Sequence, residues 1–460
     1  MIEVKLITKT ELEEKIDKDQ ILALASHAAK ICYEAETPKM GDMVPVDNRL
    51  FNPGHHTTLE HPSFTFLIEG ISVSDITFGA HLVSPFYNSD QRSGRFCSDM
   101  FSKPDFEVGI KKYIRTFWPD LPIKDLARIS DFVRDGVEIF HQNNEAAINL
   151  TAELITKERP KATDKYIQSN AKKIAQEQLR NFISTAFPTG FDYTLDLIGL
   201  VSLYKAAWTP GLVYLTQQMA DLVLAKHPQI AYMFSRRSQE WAPKFLRQGD
   251  IKFKPGFALL SLDLGGGEIE IPKPEDMHPV DLLHFLPEYM DNSINDIKTA
   301  VEISVACMGQ DQRHRTIRRG KPTFTGNFYL PPVPAMIPGV KAAAKKTLDK
   351  WLKLTRIVPP TLAAVIVPYG AMVSYEKRGS LNAIFHEQHK RLCWCAQEEI
   401  YHLSRTLRRA IEKKKEKKCA MLKVLEPHCF RTGICAEGAR YCGRDIGLRD
   451  REDYFPERKI

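Results

Sequence analysis

A run rich in glycine, proline and acidic residues divides the chain into two parts. It reads "KFKPGFALLSLDLGGGEIEIPKPEDMHP" and follows "RRSQEWAPKF" near the middle of the 460 residues. Glycine and proline interrupt regular structure, so such a run is typical of a connection between folded units. A chain of this length has room for two or three units of ~100–200 residues each. We therefore predict a first unit at 1–235, a second at 236–415, and a Cys-rich tail at 416–460.

The composition is that of an ordinary globular protein. Hydrophobic residues make up 43% and charged residues 26%, which is enough to bury a core. The net charge of +7 suits anionic ligands without demanding nucleic acid. The N-terminus lacks the basic segment and apolar core of a secretory signal, and no apolar run reaches the ~20 residues of a membrane helix. These features predict a cytoplasmic protein with no membrane partner.

Hydrophobic spacing predicts two strands and a long helix in the first unit. The alternating "IEVKLI" and the aromatic "FTFLIEG" are typical of strands. Apolar residues at helical spacing predict a helix from Ile129 to about Lys157.

Two apolar stripes predict helices in the second unit. The first stripe runs from Ile294 through Ile297, Val301 and Val305 to Met308, in steps of three and four. The second stripe runs from Leu381 to Ile411 and leads into the solvated charge run "EKKKEKKC".

A cluster of basic residues follows the first of these predicted helices. "QDQRHRTIRRG" contains four arginines and a histidine within seven positions. Cations near a helix C-terminus contribute about 0.3–1 kcal/mol each, which accounts for one or two arginines and not for four. Guanidinium groups bind phosphate oxygens two at a time. The cluster therefore indicates an anionic ligand, either a nucleic-acid backbone or the phosphates of a small molecule.

The segment "QDQRHR" resembles the signature of the flavin-dependent thymidylate synthases. In that family an Arg-His-Arg triplet follows a helix, and a glutamine sits three residues before the triplet. Gln310, Arg313, His314 and Arg315 occupy those positions. The resemblance implies that the triplet holds FAD and that its neighbourhood holds dUMP.

The second unit carries two more segments similar to this family. "RIVPP" supplies Arg356, like the family's arginine before a Leu-Pro that reaches the nucleotide. "KRLCWCAQEEI" resembles the family's Leu-Arg helix and supplies Arg391. Two positions depart from the pattern, because Tyr401 stands where the family usually has arginine and Lys390 replaces a leucine.

The first unit carries the family segments that the second unit lacks. "HHTTLEHPSFTF" resembles the family's His-x-Thr-x-x-Glu-His followed by a Phe-Thr-Phe strand. "QRSGRF" resembles the family's Glu-x-Ser-x-Arg-Tyr loop that binds dUMP, with Gln91 in the place of the glutamate. The corresponding Arg-His-Arg segment reads "GAHLVSP" and keeps only His81.

The losses in the two units are complementary. In this family the active site forms between subunits, so the resemblance implies an internal duplication in which both units contribute to one composite site. It also implies an α+β fold, with each unit a twisted, mostly antiparallel sheet flanked by helices. Because the family is tetrameric, a homodimer acting as a pseudo-tetramer is expected.

The resemblance further implies a reaction in which NADPH reduces the flavin and methylenetetrahydrofolate provides the carbon that converts dUMP to dTMP. It assigns catalysis to His55, Glu60 and Arg391, and FAD binding to Thr57, Arg313, His314 and Arg315. The residues assigned to dUMP are Gln91, Ser93, Gly94, Arg95, Gln310, Arg356 and Arg391.

The tail contains four closely spaced cysteines, which are Cys419, Cys429, Cys435 and Cys442. Four thiolates with glycines between them suit a tetrahedral zinc site, and an iron–sulfur cluster also takes four cysteines. The spacing is not the paired C-x-x-C of a zinc ribbon, so free thiols stay an alternative.

Two other functions are open on the sequence alone. Gln91, Lys390 and Tyr401 are consistent with a degenerate paralogue that binds flavin or nucleotide and modifies another pyrimidine. The basic "RHRTIRRGK" and a zinc module would suit a nucleic-acid-binding protein. The modest net charge and the lack of aromatic residues among those arginines disfavour nucleic acid as a partner.

Overall fold

The computed structural model describes residues 1–82, 87–95, 97, 101, 105–236, 241–264, 287–414, 420–448 and 455–460. These residues form an α+β fold with two twisted sheets, and the predicted fold class is confirmed. None of the helices they form is both long and apolar enough to cross a membrane.

The first sheet is antiparallel throughout and has the strand order β1-β2-β4-β3. Ser63 lies opposite Asp196, and Asn88 lies opposite Thr194. The two strands predicted from "IEVKLI" and "FTFLIEG" are present as β1 and β2. The four strands are β1 (Glu3–Lys9), β2 (Ser63–Ser72), β3 (Asn88–Gln91) and β4 (Pro188–Asp196).

Helices cover the first sheet, and the longest of them is the one predicted from apolar spacing. It begins earlier than predicted, directly after Pro122. The helices of the first half are α1 (Gln20–Ile31), α2 (Val73–Asp75), α3 (Phe106–Phe117), α4 (Ile123–Glu158), α5 (Asp164–Leu179), α6 (Leu197–Ala206) and α7 (Pro210–Leu224).

The second sheet has seven strands along the path β5-β10-β11-β8-β7, with β6 paired to β10 and β9 paired to β11. Among the described strands, β5 and β6 are the ones that pair parallel to β10. Its strands are β5 (Lys244–Phe245), β6 (Ile251–Lys252), β7 (Gly256–Leu262), β8 (Asp296–Ser304), β9 (Arg318–Arg319), β10 (Thr323–Tyr329) and β11 (Ala371–Ser380).

The remaining helices belong to the second half and the tail. They are α8 (Met290–Ile294), α9 (Val305–Asp311), α10 (Pro332–Ala335), α11 (Val340–Leu354), α12 (Pro360–Val365), α13 (Leu381–Arg391), α14 (Glu398–Lys414), α15 (Ala420–Val424) and α16 (His428–Thr432).

The Gly- and Pro-rich run between the halves is not irregular along its whole length. Its first part forms strand β7 at the edge of the second sheet. The rest of the run, residues 265–279, lies outside the described residues. The unit boundaries at 235 and 415 therefore stay predictions.

The helix predicted from the stripe between Ile294 and Met308 is wrong. Residues 296–304 form strand β8, and the stripe is helical only at its two ends, where Ile294 closes α8 and Val305 opens α9. Buried residues alternate along β8, where Ile297, Thr299 and Val301 face the core. A step of four residues fits both a helix and a strand, and the β-branched residues at every second position favour the strand.

The single helix predicted from Leu381 to Ile411 is also wrong, because residues 392–397 separate α13 from α14. Within this break the carbonyls of Trp394, Cys395 and Ala396 accept hydrogen bonds from distant arginine side chains. Arg159 donates to Trp394 over 3.0 Å, and Arg458 donates to Ala396 over 2.6 Å. These tertiary contacts satisfy the backbone that a continuous helix would otherwise have paired.

The two sheets share an order of strands. The first follows β1-β2-β4-β3, and the second contains β7-β8-β11-β10 with the same antiparallel pairing. In each sheet the second strand leads into a helix through a serine N-cap, Ser72 or Ser304. The strand third in each order, β4 or β11, leads into a helix through Asp196 or Ser380, whose side chain also accepts from the backbone.

The halves pack together through one continuous core. The rings of Phe78 and Phe324 lie 5.2 Å apart, and the Thr185 amide donates to the Val367 carbonyl over 2.7 Å. A second hydrophobic cluster contains Trp394 and also Cys442 and other tail residues. The tail is therefore packed against the second half.

Candidate active site

The Arg-His-Arg segment crosses from the second sheet to the first. It follows α9, and its two arginines reach strand β3. Arg313 donates to the Ser89 carbonyl over 3.2 Å, and Arg315 donates to the Asn88 side chain over 2.8 Å and to the Tyr87 carbonyl. Side chains predicted to bind FAD thus lie against the opposite half of the molecule.

Arg319 stabilises this turn through hydrogen bonds to its backbone and to Asp311. It is almost fully buried, and its guanidinium donates to the Asp311 carboxylate over 2.5 Å and to the carbonyls of His314 and Ile317. Lys377 donates to the other Asp311 oxygen over 2.7 Å. Burial opposes ionisation, but Arg319 and Lys377 together hold the pKa of Asp311 well below its usual range. Arg319 therefore has a structural task.

Arg391 joins α13 to the Arg-His-Arg turn. Its Nε donates to His314 Nε2 over 2.9 Å, and its Nη2 donates to the Gln310 carbonyl over 2.7 Å. Burial, followed by the nearby Arg391 charge, places the pKa of His314 well below its ordinary value. His314 is therefore a neutral imidazole whose Nε2 accepts, so that Nδ1 carries the proton.

Several buried polar atoms beside Arg391 have no hydrogen-bond partner among the described residues. They are His314 Nδ1, Gln310 Oε1 and Gln397 Nε2, while the two glutamine side chains bond to each other through their remaining atoms. Unpaired buried polar groups cost about 1–3 kcal/mol each. These atoms provide two donors and an acceptor for a polar ligand.

Arg95 of the first half reaches the break between α13 and α14. It forms an ion pair with Glu177 of α5 and donates to the Cys395 carbonyl over 3.2 Å. Ser93 accepts from the Arg95 amide over 3.2 Å. Burial is the main cause that lowers the pKa of Arg391, and the Arg95 charge lowers it further, whereas Glu387 and Asp311 raise it. The two guanidinium groups are thus close enough to influence each other.

Arg95 borders a cavity of about 740 Å³ between α5, the 392–397 break and the tail. Six cationic side chains and three carboxylates line it, so the walls carry an excess of positive charge. The cations are Arg95, Arg159, Lys161, Lys165, Lys173 and Arg440, and the carboxylates are Glu177, Glu398 and Glu437.

The His-x-Thr-x-x-Glu-His residues lie in an exposed turn before β2. His55 and Thr57 line a separate cavity of about 330 Å³. Glu60 follows the same turn, just before the start of β2 at Ser63. β2 and β3 both lie antiparallel to β4, so their first residues share one end of the sheet. Two strand spacings, roughly 10 Å, separate this turn from β3, the strand whose Ser89 carbonyl accepts a hydrogen bond from Arg313.

The other predicted dUMP residues are placed less closely. Gln91 pairs with Phe191 on β4, and Gly94 is buried, where an added Cβ would lie 3.5 Å from Arg180. Arg356 is exposed beyond the end of α11. None of the described contacts joins Arg356 to Arg95 or Arg391.

Sequence reasoning missed Glu177 and Arg458. Arg458 lies 4.3 Å from the ring centroid of Tyr401, the residue that stands where the family usually has arginine. It donates to the Trp394 and Ala396 carbonyls over 3.3 and 2.6 Å. The tail therefore places the Arg458 guanidinium beside Tyr401, the position where the family usually has an arginine. A single arginine or glutamate outside any motif carries no signal by which sequence reasoning could have found it.

The cysteines of the tail are only partly described. Cys419 lies outside the described residues, whereas Cys429, Cys435 and Cys442 lie within them. In the described part of the chain, no three His, Cys, Asp or Glu side chains form a group that could hold a metal ion. The zinc or iron–sulfur site thus stays a prediction.

Glu399 is buried behind the site and bonded to the N-cap of α9. Its carboxylate accepts from the Ser304 amide over 2.7 Å and from the Ser304 hydroxyl over 2.5 Å. Burial raises the pKa of Glu399 to about 7, although the Ser304 bonds oppose that shift. Ionisation of this group is therefore less favourable in the folded than in the unfolded chain.

This shift predicts a pH-dependent loss of stability. The folded pKa lies above the usual value of 4.5, so the contribution of Glu399 is complete below pH 4.5 and is lost as the pH rises to about 7. The change amounts to roughly 3 kcal/mol. Urea unfolding of wild type and Glu399→Gln across this range should show a decline that the variant lacks. Glu412→Gln, farther along α14, should keep the decline, and an equal decline in Glu399→Gln would contradict the assignment.

The molecule is a two-sheet α+β protein in which guanidinium groups from both halves lie around polar pockets. Residues 12–231 match the family model described as thymidylate synthase complementing protein. This match, over just under half of the chain, confirms the predicted resemblance of these residues to the flavin-dependent thymidylate synthases.

Solved structures and curated proteins were also compared with the chain. One similar structure is thymidylate synthase X from Helicobacter pylori with FAD and dUMP. The identity is 16%, the comparison covers 51% of this chain and 98% of that one, and the TM-score is 0.31. None of the curated proteins matches the chain.

Proposed function

We propose that the chain converts dUMP to dTMP in an FAD-dependent reaction, with methylenetetrahydrofolate and NADPH as co-substrates. The match of residues 12–231 to the family model supports the reaction class. The observation that carries the proposal for the whole chain is the meeting of family motifs from both halves. Arg313 and Arg315 contact β3 of the first sheet, and Arg95 contacts the break beside Arg391.

We also propose that the chain arose by internal duplication and that its site is composite. The shared strand order of the two sheets and the matching serine N-caps support this origin. A homodimer that acts as a pseudo-tetramer, and a cytoplasmic location, rest on the sequence and the family resemblance alone.

The residues present are suited to FAD. Arg313 is exposed, and the one hydrogen bond described for its guanidinium leaves other donors for a diphosphate. His314 adds a buried Nδ1 donor without a partner among the described residues. Arg313, Arg315 and His314 would hold this cofactor, with Thr57 nearby on the same sheet end. When bound, the flavin supplies the redox chemistry, and the protein supplies binding and orientation.

The arginine charges and the glutamine amide atoms without a described partner suggest separate roles in binding dUMP. The arginines would bind the phosphate, and the amides would bind the uracil. Arg95 would exchange its Glu177 partner for the phosphate, which carries up to about two negative charges. Arg391 lies beside Gln310 Oε1 and Gln397 Nε2, an acceptor and a donor. A uracil edge presents an N–H donor beside a carbonyl acceptor, which is the complementary pattern. His55 and Glu60 are proposed as catalytic residues together with Arg391.

Arg313→Ala should purify without flavin colour. The substitution removes an exposed guanidinium whose one described bond is to a carbonyl, so the fold should tolerate it. The flavin absorbance per mole of protein measures the effect. Arg318→Ala removes a nearby exposed cation on β9 and should keep the colour. Full yellow colour in Arg313→Ala would remove this residue from the cofactor site.

The reaction itself can be tested with dUMP that carries tritium at C5. Purified protein supplied with methylenetetrahydrofolate and NADPH should release tritium to water. If the label stays on dUMP while flavin and nucleotide both bind, a paralogue that modifies another pyrimidine becomes the better description. Gln91 and Tyr401 are the substitutions that favour this second candidate.

A further inference from the structure

One face of helix α5 forms a wall of the cavity of about 740 Å³ that Arg95 borders. The lining residues of α5 recur every three or four positions, so their side chains share one face of the helix. They include Lys165, Ser169, Lys173 and Glu177. At about 1.5 Å per residue, the stretch from Lys165 to Glu177 extends roughly 18 Å. The cavity is therefore long in the direction of the helix axis.

Cationic side chains continue along this wall beyond Arg95. Arg95 forms an ion pair with Glu177, and Lys173 lies one helical turn before Glu177 on the same face. Lys165 lies two turns before Lys173, and both lysines are exposed. The phosphate proposed to bind at Arg95 carries up to about two negative charges. A single phosphate would therefore occupy one end of this wall and leave the lysine end to other anionic groups.

Arg159 adds a buried guanidinium to the wall of the cavity, since only 2% of the residue is exposed. Its Nη1 donates to the Tyr166 hydroxyl over 2.6 Å, and its Nη2 donates to the Trp394 carbonyl over 3.0 Å. Its Nε has no hydrogen-bond partner among the described residues. A buried donor without a partner is destabilising, which favours a ligand atom that accepts from it.

Glu398 adds a buried carboxyl to the same wall. Its Oε2 accepts from the Tyr329 hydroxyl over 2.8 Å, and its Oε1 has no partner among the described residues. Burial, followed by the charge of Glu399, raises the pKa of Glu398 well above its usual range. A neutral carboxyl donates a hydrogen bond, so this group can bind a phosphate oxygen instead of repelling it.

We propose that the cavity binds the β- and γ-phosphates of a pyrimidine nucleoside triphosphate whose α-phosphate lies at Arg95. This assignment rests on the proposed dUMP site, which sets the position of the first phosphate. The other two phosphates would continue along α5 toward Lys173, and Ser169 lies one turn beyond that lysine. Continuity with Arg95 favours a phosphate chain over an unconnected anion. The protein should therefore bind dUTP more tightly than dUMP.

Such a ligand would compete with dUMP, because both place a phosphate at Arg95. Pyrimidine nucleoside triphosphates form from monophosphates, including the proposed product, by phosphoryl transfer. Binding in the cavity would thus let the products of that later phosphorylation slow the proposed reaction.

Calorimetric titrations of the full-length protein with dUMP, dUTP and inorganic tripolyphosphate, at one ionic strength, measure the effect. We expect dUTP to bind at least about tenfold more tightly than dUMP, since a charge-assisted hydrogen bond to an added phosphate strengthens binding by about this factor. Tripolyphosphate, which carries no base, should bind and should weaken dUTP binding by competition.

Lys173→Ala should reduce the affinity for dUTP and for tripolyphosphate by about tenfold and leave the affinity for dUMP within about twofold of wild type. Lys165→Ala, two turns farther from Arg95, should cause a smaller loss. Lys172→Ala is the matched control and should keep the wild-type affinities. Lys172 is exposed on α5 and is not among the described residues that line the cavity.

Equal affinities for dUTP and dUMP would overturn the inference, and so would an equal loss of dUTP affinity in Lys172→Ala and Lys173→Ala. Competition with dUTP by a tetra-γ-glutamate peptide but not by tripolyphosphate would also overturn it and would assign the cavity to the carboxylates of the folate co-substrate. The tripolyphosphate titration does not depend on turnover. Binding through Lys173 without tritium release from labelled dUMP would therefore contradict the proposed function and support this inference.

Discussion

Arg391→Ala should reduce the affinity for dUMP by about 100-fold or more. The side chain supplies charge-assisted hydrogen bonds, which contribute roughly 1.5–3 kcal/mol each, and every 1.4 kcal/mol corresponds to about tenfold in affinity. Arg391 also holds His314 and the Gln310 carbonyl, so its removal disturbs the neighbouring polar groups. Calorimetric titration with dUMP measures the loss.

Arg95→Ala should cause a loss of similar size, although Arg95 belongs to the first half. Lys390→Ala is the matched control, because it removes an exposed cation next to Arg391 on the same helix. Normal dUMP binding in either arginine variant, with a folded protein, would contradict the composite site.

Arg319→Ala should lower the free energy of unfolding by about 3–5 kcal/mol, since it leaves a buried carboxylate with one cation fewer. Asp311 would keep Lys377 and Tyr375 as partners, and the carbonyls of His314 and Ile317 would each lose a donor. Urea unfolding followed by circular dichroism measures the change.

The neighbouring Arg318 is exposed, so Arg318→Ala should change the unfolding free energy by at most about 0.5 kcal/mol. Equal stability of the two variants would show that the Asp311 network contributes little. The comparison separates a structural arginine from an exposed one within the same sequence cluster.

Local periodicity was sufficient to predict β1, β2 and α4, because each buries one face through residues close in sequence. The same approach failed at β8, where Ile297 and Val301 are four residues apart, a spacing shared by helix and strand. Thr299 between them is buried and reveals the alternation. A single apolar stripe is therefore weaker evidence than the full pattern of β-branched residues.

The break between α13 and α14 could not be predicted from its own residues. Arginines 95, 159 and 458 bind its carbonyls, and all three come from elsewhere in the chain. The roles of Glu177 and Arg458 depend in the same way on tertiary packing. Motifs predicted which family residues 12–231 resemble, whereas the partners of those motif residues required the fold.

The bonds from Arg313 and Arg315 to β3 join two stretches of one polypeptide. Two groups on one polypeptide meet at an effective concentration that does not depend on the concentration of the protein. This effective concentration is in the millimolar range for short flexible connections. This contact should consequently persist at dilutions where an interface between separate chains would dissociate.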